Sequence, residues 1–100
     1  MYRFVRTMTI SVPSQIPAAM QFAAETTSYV NRTYGVNWKF GAQVYAEPVI
    51  HWHLDFENMD KFRDVVDRMY KDPEYWNVLQ KGKGIFVEGS MKDALIRMAD

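Results

Sequence analysis

The stretch VIHWHLDF, residues 49 to 56, sets His51, His53 and Asp55 at every second position, with Trp52 between the histidines. In an extended chain, residues i and i+2 point the same way, so the three polar groups form one row. An imidazole changes charge near neutral pH and can act as general acid or base, and a carboxylate two residues along can orient it and hold one tautomer. The same His-x-His spacing can hold zinc, iron or copper, with Asp55 completing a three-ligand site that keeps an open position. No second ligand pair is visible, so a metal reading would rest on His51 and His53 alone, and no metal is assigned. A third reading needs no chemistry: a polar row hydrogen-bonded across a subunit interface.

The row requires a strand, and the flanking pattern supplies one. Ile50, Trp52, Leu54 and Phe56 alternate with Val49, His51, His53 and Asp55. Tyr2 to Val12 alternates in the same way, with Tyr2, Phe4, Arg6, Met8 and Ile10 against Arg3, Val5, Thr7 and Thr9. After the segment PSQIP, with its prolines and a capping serine, helical spacing runs from Ala18 to Tyr34 and Gly35 stands at the C-cap position. Residues 36–46 and 49–56 read as a hairpin punctuated by Glu47-Pro48. Asn58 can cap a helix carrying Met59, Phe62, Val65, Val66 and Met69 on one face, and Asp72-Pro73 breaks it and opens a shorter one anchored by Tyr75, Trp76 and Leu79. A last strand is expected from near Ile85, with SMKDALIRM either extending it or forming a helix capped by Ser90.

The order β-α-β-β-α-(α)-β, with right-handed crossovers, predicts an α+β, ferredoxin-like split β-α-β fold: a four-stranded antiparallel sheet with strands one and three central and helices on one face. The length of 100 residues suits one domain spanning residues 1–100. Twelve basic and twelve acidic residues cancel, which argues against an electrostatic nucleic-acid footprint. KGKGIFVEG comes near an RNA-binding signature, but Lys83 occupies its aromatic position and the segment falls on the fourth strand. With no cysteine, disulfides, thiolate metal sites and a cysteine nucleophile are excluded. The N-terminal MYRFVRTMTISV lacks a continuous apolar stretch and no run reaches membrane-span length, so no membrane partner is expected and the default location is the cytoplasm.

The length, the element order and the segment HLDFENMDKFRDVVDRMYKDPEYWNVLQ resemble the dimeric α/β-barrel superfamily, most similarly its NIPSNAP-like and antibiotic-biosynthesis-monooxygenase-like branches. The resemblance implies that two sheets associate face to face into a barrel, and that enzymatic relatives, cofactor-free monooxygenases and isomerases among them, hold small molecules near the sheet. It carries over no catalytic residue.

The expected face opposite the helices is polar and titratable: His51, His53 and Asp55 as candidate catalytic machinery, Lys39, Gln43 and Tyr45 beside them, with Trp38 as aromatic wall for a substrate or as core. Two functions follow. One is a small enzyme acting on an aromatic or polyketide-like molecule, oxygenase-like or isomerase-like, without a tightly bound organic cofactor. The other is a non-catalytic dimeric binding module whose polar row hydrogen-bonds across the interface. An enclosed pocket lined by a histidine would favour the first, and a filled barrel the second.

Overall fold

The structure is a computed structural model that describes residues 1–99. Its elements are β1 (Tyr2–Thr9), a 3-10 turn (Pro13–Gln15), α1 (Ile16–Tyr34), β2 (Lys39–Gln43), β3 (Val49–Phe56), α2 (Met59–Tyr70), α3 (Pro73–Gln80) and β4 (Lys92–Arg97). The strands form one antiparallel sheet in the order β2-β3-β1-β4, the ferredoxin-like arrangement with β3 and β1 central.

Local chemistry explains most boundaries. The α1 helix ends where Gly35 adopts φ 66° and donates its N–H to Asn31 O at 3.0 Å. A left-handed residue there favours glycine because no Cβ meets the carbonyl. At the start of α2, Asn58 Oδ1 accepts the Asp60 and Lys61 amides at 2.9 and 3.2 Å, and at the start of α3 Asp72 Oδ1 accepts that of Glu74 at 3.0 Å. Ser14, expected to cap the first helix, lies in the preceding turn instead, and Gln15 stands at the N-cap without a side-chain bond.

Three strands differ from the sequence pattern, the first of them ending at Thr9 instead of Val12. The second strand is five residues long instead of spanning 36–46, because the Asn31 side chain takes both backbone groups of Trp38, accepting its N–H at 2.7 Å and donating to its carbonyl at 3.0 Å. Beyond Gln43 the chain turns, with Ala46 at φ 65°. The final strand starts at Lys92, not near Ile85: residues 81–91 form a turning connection that touches the sheet through an isolated bridge between Phe86 and Ile10. Ser90 caps no helix; its Oγ accepts the Thr9 amide at 3.1 Å.

The register sorts the side chains. Ile50, Trp52 and Leu54 are buried under the helices, and Phe4, Arg6 and Met8 of β1 lie opposite Leu54, Trp52 and Ile50 on that same face. One core group joins Ile10, Ala19, Phe22, Ala23, Ile50 and Trp52; a second joins Val30, Met69 and Tyr75. Trp76, expected as an anchor, is 45% exposed, its ring stacked on Tyr70 and its indole N–H donated to the Tyr70 carbonyl at 2.9 Å. The buried contacts of α3 are made by Tyr75 and Val78.

Candidate functional site

The polar row predicted from the sequence is assembled on the face away from the helices. Cross-strand pairing brings His53 beside Lys39 and Val5, His51 beside Gly41 and Thr7, and Asp55 beside Arg3. Gln43 lies on the same face opposite Val49 and donates to the Glu47 carbonyl at 3.0 Å. The Asp55 carboxylate is held by the Arg3 guanidinium, Nε to Oδ1 at 2.7 Å and Nη2 to Oδ2 at 3.0 Å. That bond keeps its pKa below the usual carboxylate value. Asp55 is therefore engaged by arginine, and among the described residues no group of three His, Asp or Glu side chains comes together in a form that could hold a metal. Tyr45 stands in the turn after β2, 89% exposed, and Trp38 lies on the helix side. The fold thus keeps the row together and separates it from both aromatic residues expected beside it.

A half-open cavity lies on the opposite face. The α1 helix packs against β2 and β3, Phe62 of α2 reaches the Phe4 ring of β1 at 5.3 Å between centres, and β4 is exposed along its length. A cavity of about 770 Å³ results. Its floor is Arg6, Met8 and Trp52; Phe22, Thr27 and Val30 of α1 form one wall and Tyr75 and Leu79 of α3 another. The exposed residues Lys83, Val87, Glu88 and Met91 form its rim. Among the described residues no histidine lines it.

Among the described residues, three fully covered polar atoms on residues that line the cavity have no partner: Thr27 Oγ1, Trp38 Nε1 and Trp52 Nε1. Buried polar groups are nearly always paired, and leaving one unmet costs about 1–3 kcal/mol.

The floor also carries a charge. Phe40, Trp52, Arg6 and Asp93 form a continuous cross-strand row on the helix face, one residue from each strand. Arg6 donates from Nε to Asp93 Oδ1 at 2.8 Å and from Nη2 to Asp93 Oδ2 at 2.9 Å, and its guanidinium lies 5.7 Å from the centre of the Phe4 ring. Burial works against that charge, but the bonds to Asp93 and to the Tyr70 hydroxyl, with Tyr75 nearby, together outweigh it and hold the proton more firmly than usual. Burial also raises the pKa of Tyr75, with Arg6 pulling the other way. Sequence reasoning passed over Arg6 and Thr27. For Arg6 a signal was present, since it interrupts an otherwise apolar inward set of Tyr2, Phe4, Met8 and Ile10.

No protein-family model matches the sequence, and a search of curated proteins finds no match. Solved structures with the same fold include Atu4242 from Agrobacterium tumefaciens, 15% identical over 99% of this chain and 94% of that one, with a TM-score of 0.79. An uncharacterized NIPSNAP domain protein from Burkholderia xenovorans is 12% identical, with a TM-score of 0.79 over 99% and 95% of the two chains. SnoaB from Streptomyces nogalater, a cofactor-independent oxygenase, is 12% identical with a TM-score of 0.66 over 99% and 93%. The neighbours thus come from the NIPSNAP and antibiotic-biosynthesis-monooxygenase groups, and at these identities the likeness is one of fold.

Proposed function

We propose that this protein binds a small aromatic or polyketide-like molecule in the helix-side cavity and acts on it as an oxygenase or isomerase without a tightly bound organic cofactor. The observation that carries this reading is the cavity itself, about 770 Å³ with Met8, Phe22, Val30, Trp52 and Leu79 in its lining. Aromatic and aliphatic walls suit a flat, largely apolar ligand. The fold shared with a cofactor-independent oxygenase supports the chemical part.

One observation favours a non-catalytic binding role instead. Neither histidine lines the cavity, and its carboxylates are Glu88 at the exposed rim and, beside the floor, Asp93 tied to Arg6, so no free base stands at its centre. In either role the opposite face of the sheet, with Val5, His51, His53 and Lys39, is the surface on which a second copy associates.

Native mass spectrometry of the purified protein tests the binding reading: a retained small molecule is expected. A protein that carries nothing and binds no oxygenated aromatic would refute it.

A further inference from the structure

The strand β4 forms one edge of the sheet, and all six of its residues are exposed. The phase of its ladder shows which backbone groups point outward. Met98 donates its N–H to the Met1 carbonyl at 2.9 Å, so the register makes Ile96, Ala94 and Lys92 the residues bonded to β1. Asp93, Leu95 and Arg97 turn their N–H and C=O groups away from the sheet, and among the described residues no hydrogen bond meets those groups. Proline and bulges, which usually blunt such an edge, are missing, and Leu95 and Ile96 are 47% and 43% exposed, one on each face. The other edge is shorter. There the bond from Ile10 N–H to the Pro48 carbonyl at 2.9 Å sets the phase, leaving Phe40 and Ala42 of β2 outward, while Asn31 takes both backbone groups of Trp38.

The β4 edge is complementary to itself. Laid antiparallel on a second copy and centred on Leu95, it sets Leu95 opposite Leu95, Asp93 opposite Arg97 and Ala94 opposite Ile96 of that copy. The outward residues then fall opposite one another, and each outward N–H meets a carbonyl. Among the described residues Arg97 has no ion-pair partner, and Asp93, although bonded to Arg6, keeps its side chain 35% exposed. Sliding the register by two residues opposes Leu95 to a charge, Asp93 in one direction and Arg97 in the other.

We propose that β4 is a docking edge for β4 of a second copy, extending the four-stranded sheet across a two-fold axis at Leu95. The same patch serves both copies, so the contact closes on itself. One strand from each side buries well under the roughly 800 Å² per copy of a stable complex, so the contact is weak and fills only above the micromolar range. It lies at the side of the sheet and leaves the polar face free.

A single thiol reads this contact, because the chain has no cysteine. Leu95→Cys places two thiols on Cα atoms about 5.5 Å apart across the axis, within reach of a disulfide. Under mild oxidation at submillimolar concentration it should cross-link at least about tenfold faster than Val44→Cys, whose 67% exposed position reports random collision. Adding Arg97→Glu turns two attractions into two repulsions and should slow the cross-linking about tenfold. In the unaltered chain the amides of Leu95 and Arg97 should exchange with solvent more slowly as concentration rises, and those of Phe40 and Ala42 should not change. Faster cross-linking by Ile96→Cys than by Leu95→Cys would put the opposite face of β4 at the contact and overturn the proposal. Equal rates for Leu95→Cys and Val44→Cys, indifference to Arg97→Glu, or exchange at Leu95 that ignores concentration would overturn it as well.

Discussion

At the scale of single residues, the strongest polar junction outside the cavity is Asp72. Its Oδ2 accepts the hydroxyls of Tyr29 and Tyr34, each at 2.5 Å, while Oδ1 caps α3, so one carboxylate ties α1 to the start of α3. These bonds lower the pKa of Asp72. The pKa of Tyr29 rises chiefly through its bond to Asp72, and that of Tyr34 through burial and then that bond. The signs are opposite for the two residue types. The Asp72 contribution is complete above the ordinary carboxylate value of 3.8 and is lost as pH falls through the folded value; the tyrosine contribution is complete below 10 and is lost as pH rises through the folded one. Tyr34→Phe should therefore lower the melting temperature at neutral pH, and the gap to wild type should narrow on the alkaline side. Scanning calorimetry across pH checks this, and a gap that widened above pH 10 would contradict it.

At the scale of elements, the junction between α3 and the 81–91 connection sets the shape of the cavity. A Cβ placed on Gly82 would sit 2.8 Å from two atoms of the Phe22 ring, so α1 and the connection meet there with no room for a side chain. Gly82→Ala should push Phe22 toward the cavity it lines and destabilise the fold by about 1–3 kcal/mol, the usual range for an overpacked core. Chemical denaturation measures the cost, and loss of ligand binding beyond the change in stability reports the lost volume. The cap of α2 offers a contrast, because Asn58→Ala removes an acceptor from two amides far from the ligand. It should cost about 1 kcal/mol and leave binding unchanged.

At the scale of the whole molecule, the helices cover one face of the sheet and leave the other to Arg3, Val5, Thr7, Lys39, His51, His53 and Asp55. A four-stranded sheet covered on one side commonly buries its second face against a partner, and about 800 Å² from each copy is enough for a stable pair. The Arg3 to Asp55 bridge, 37% exposed on each side chain and of little worth in water, would be desolvated in such a pair. Val5 lies between His53 and Ala94 on this face. If two sheets stack, Val5→Lys should give a monomer at micromolar concentration in light scattering while its circular dichroism stays that of the wild type. A wild-type protein that is already monomeric would remove the proposed association.

Periodicity and end signals in the sequence were enough to establish the element order, the strand Val49–Phe56, the Gly35, Asn58 and Asp72 boundaries, and the common face of His51, His53 and Asp55. These depend on neighbours one to four residues apart, and such neighbours are visible in a linear string. Where the cavity lies was decided only by tertiary structure. It depends on α1 packing over β2 and β3 while β4 stays exposed, and on register pairing Arg6 with Trp52 and Asp93, residues 46 and 87 positions away. The alternation that put the histidines on one face also put Arg6 and Trp52 on the other. Which face encloses space was set by contacts between segments far apart in the chain.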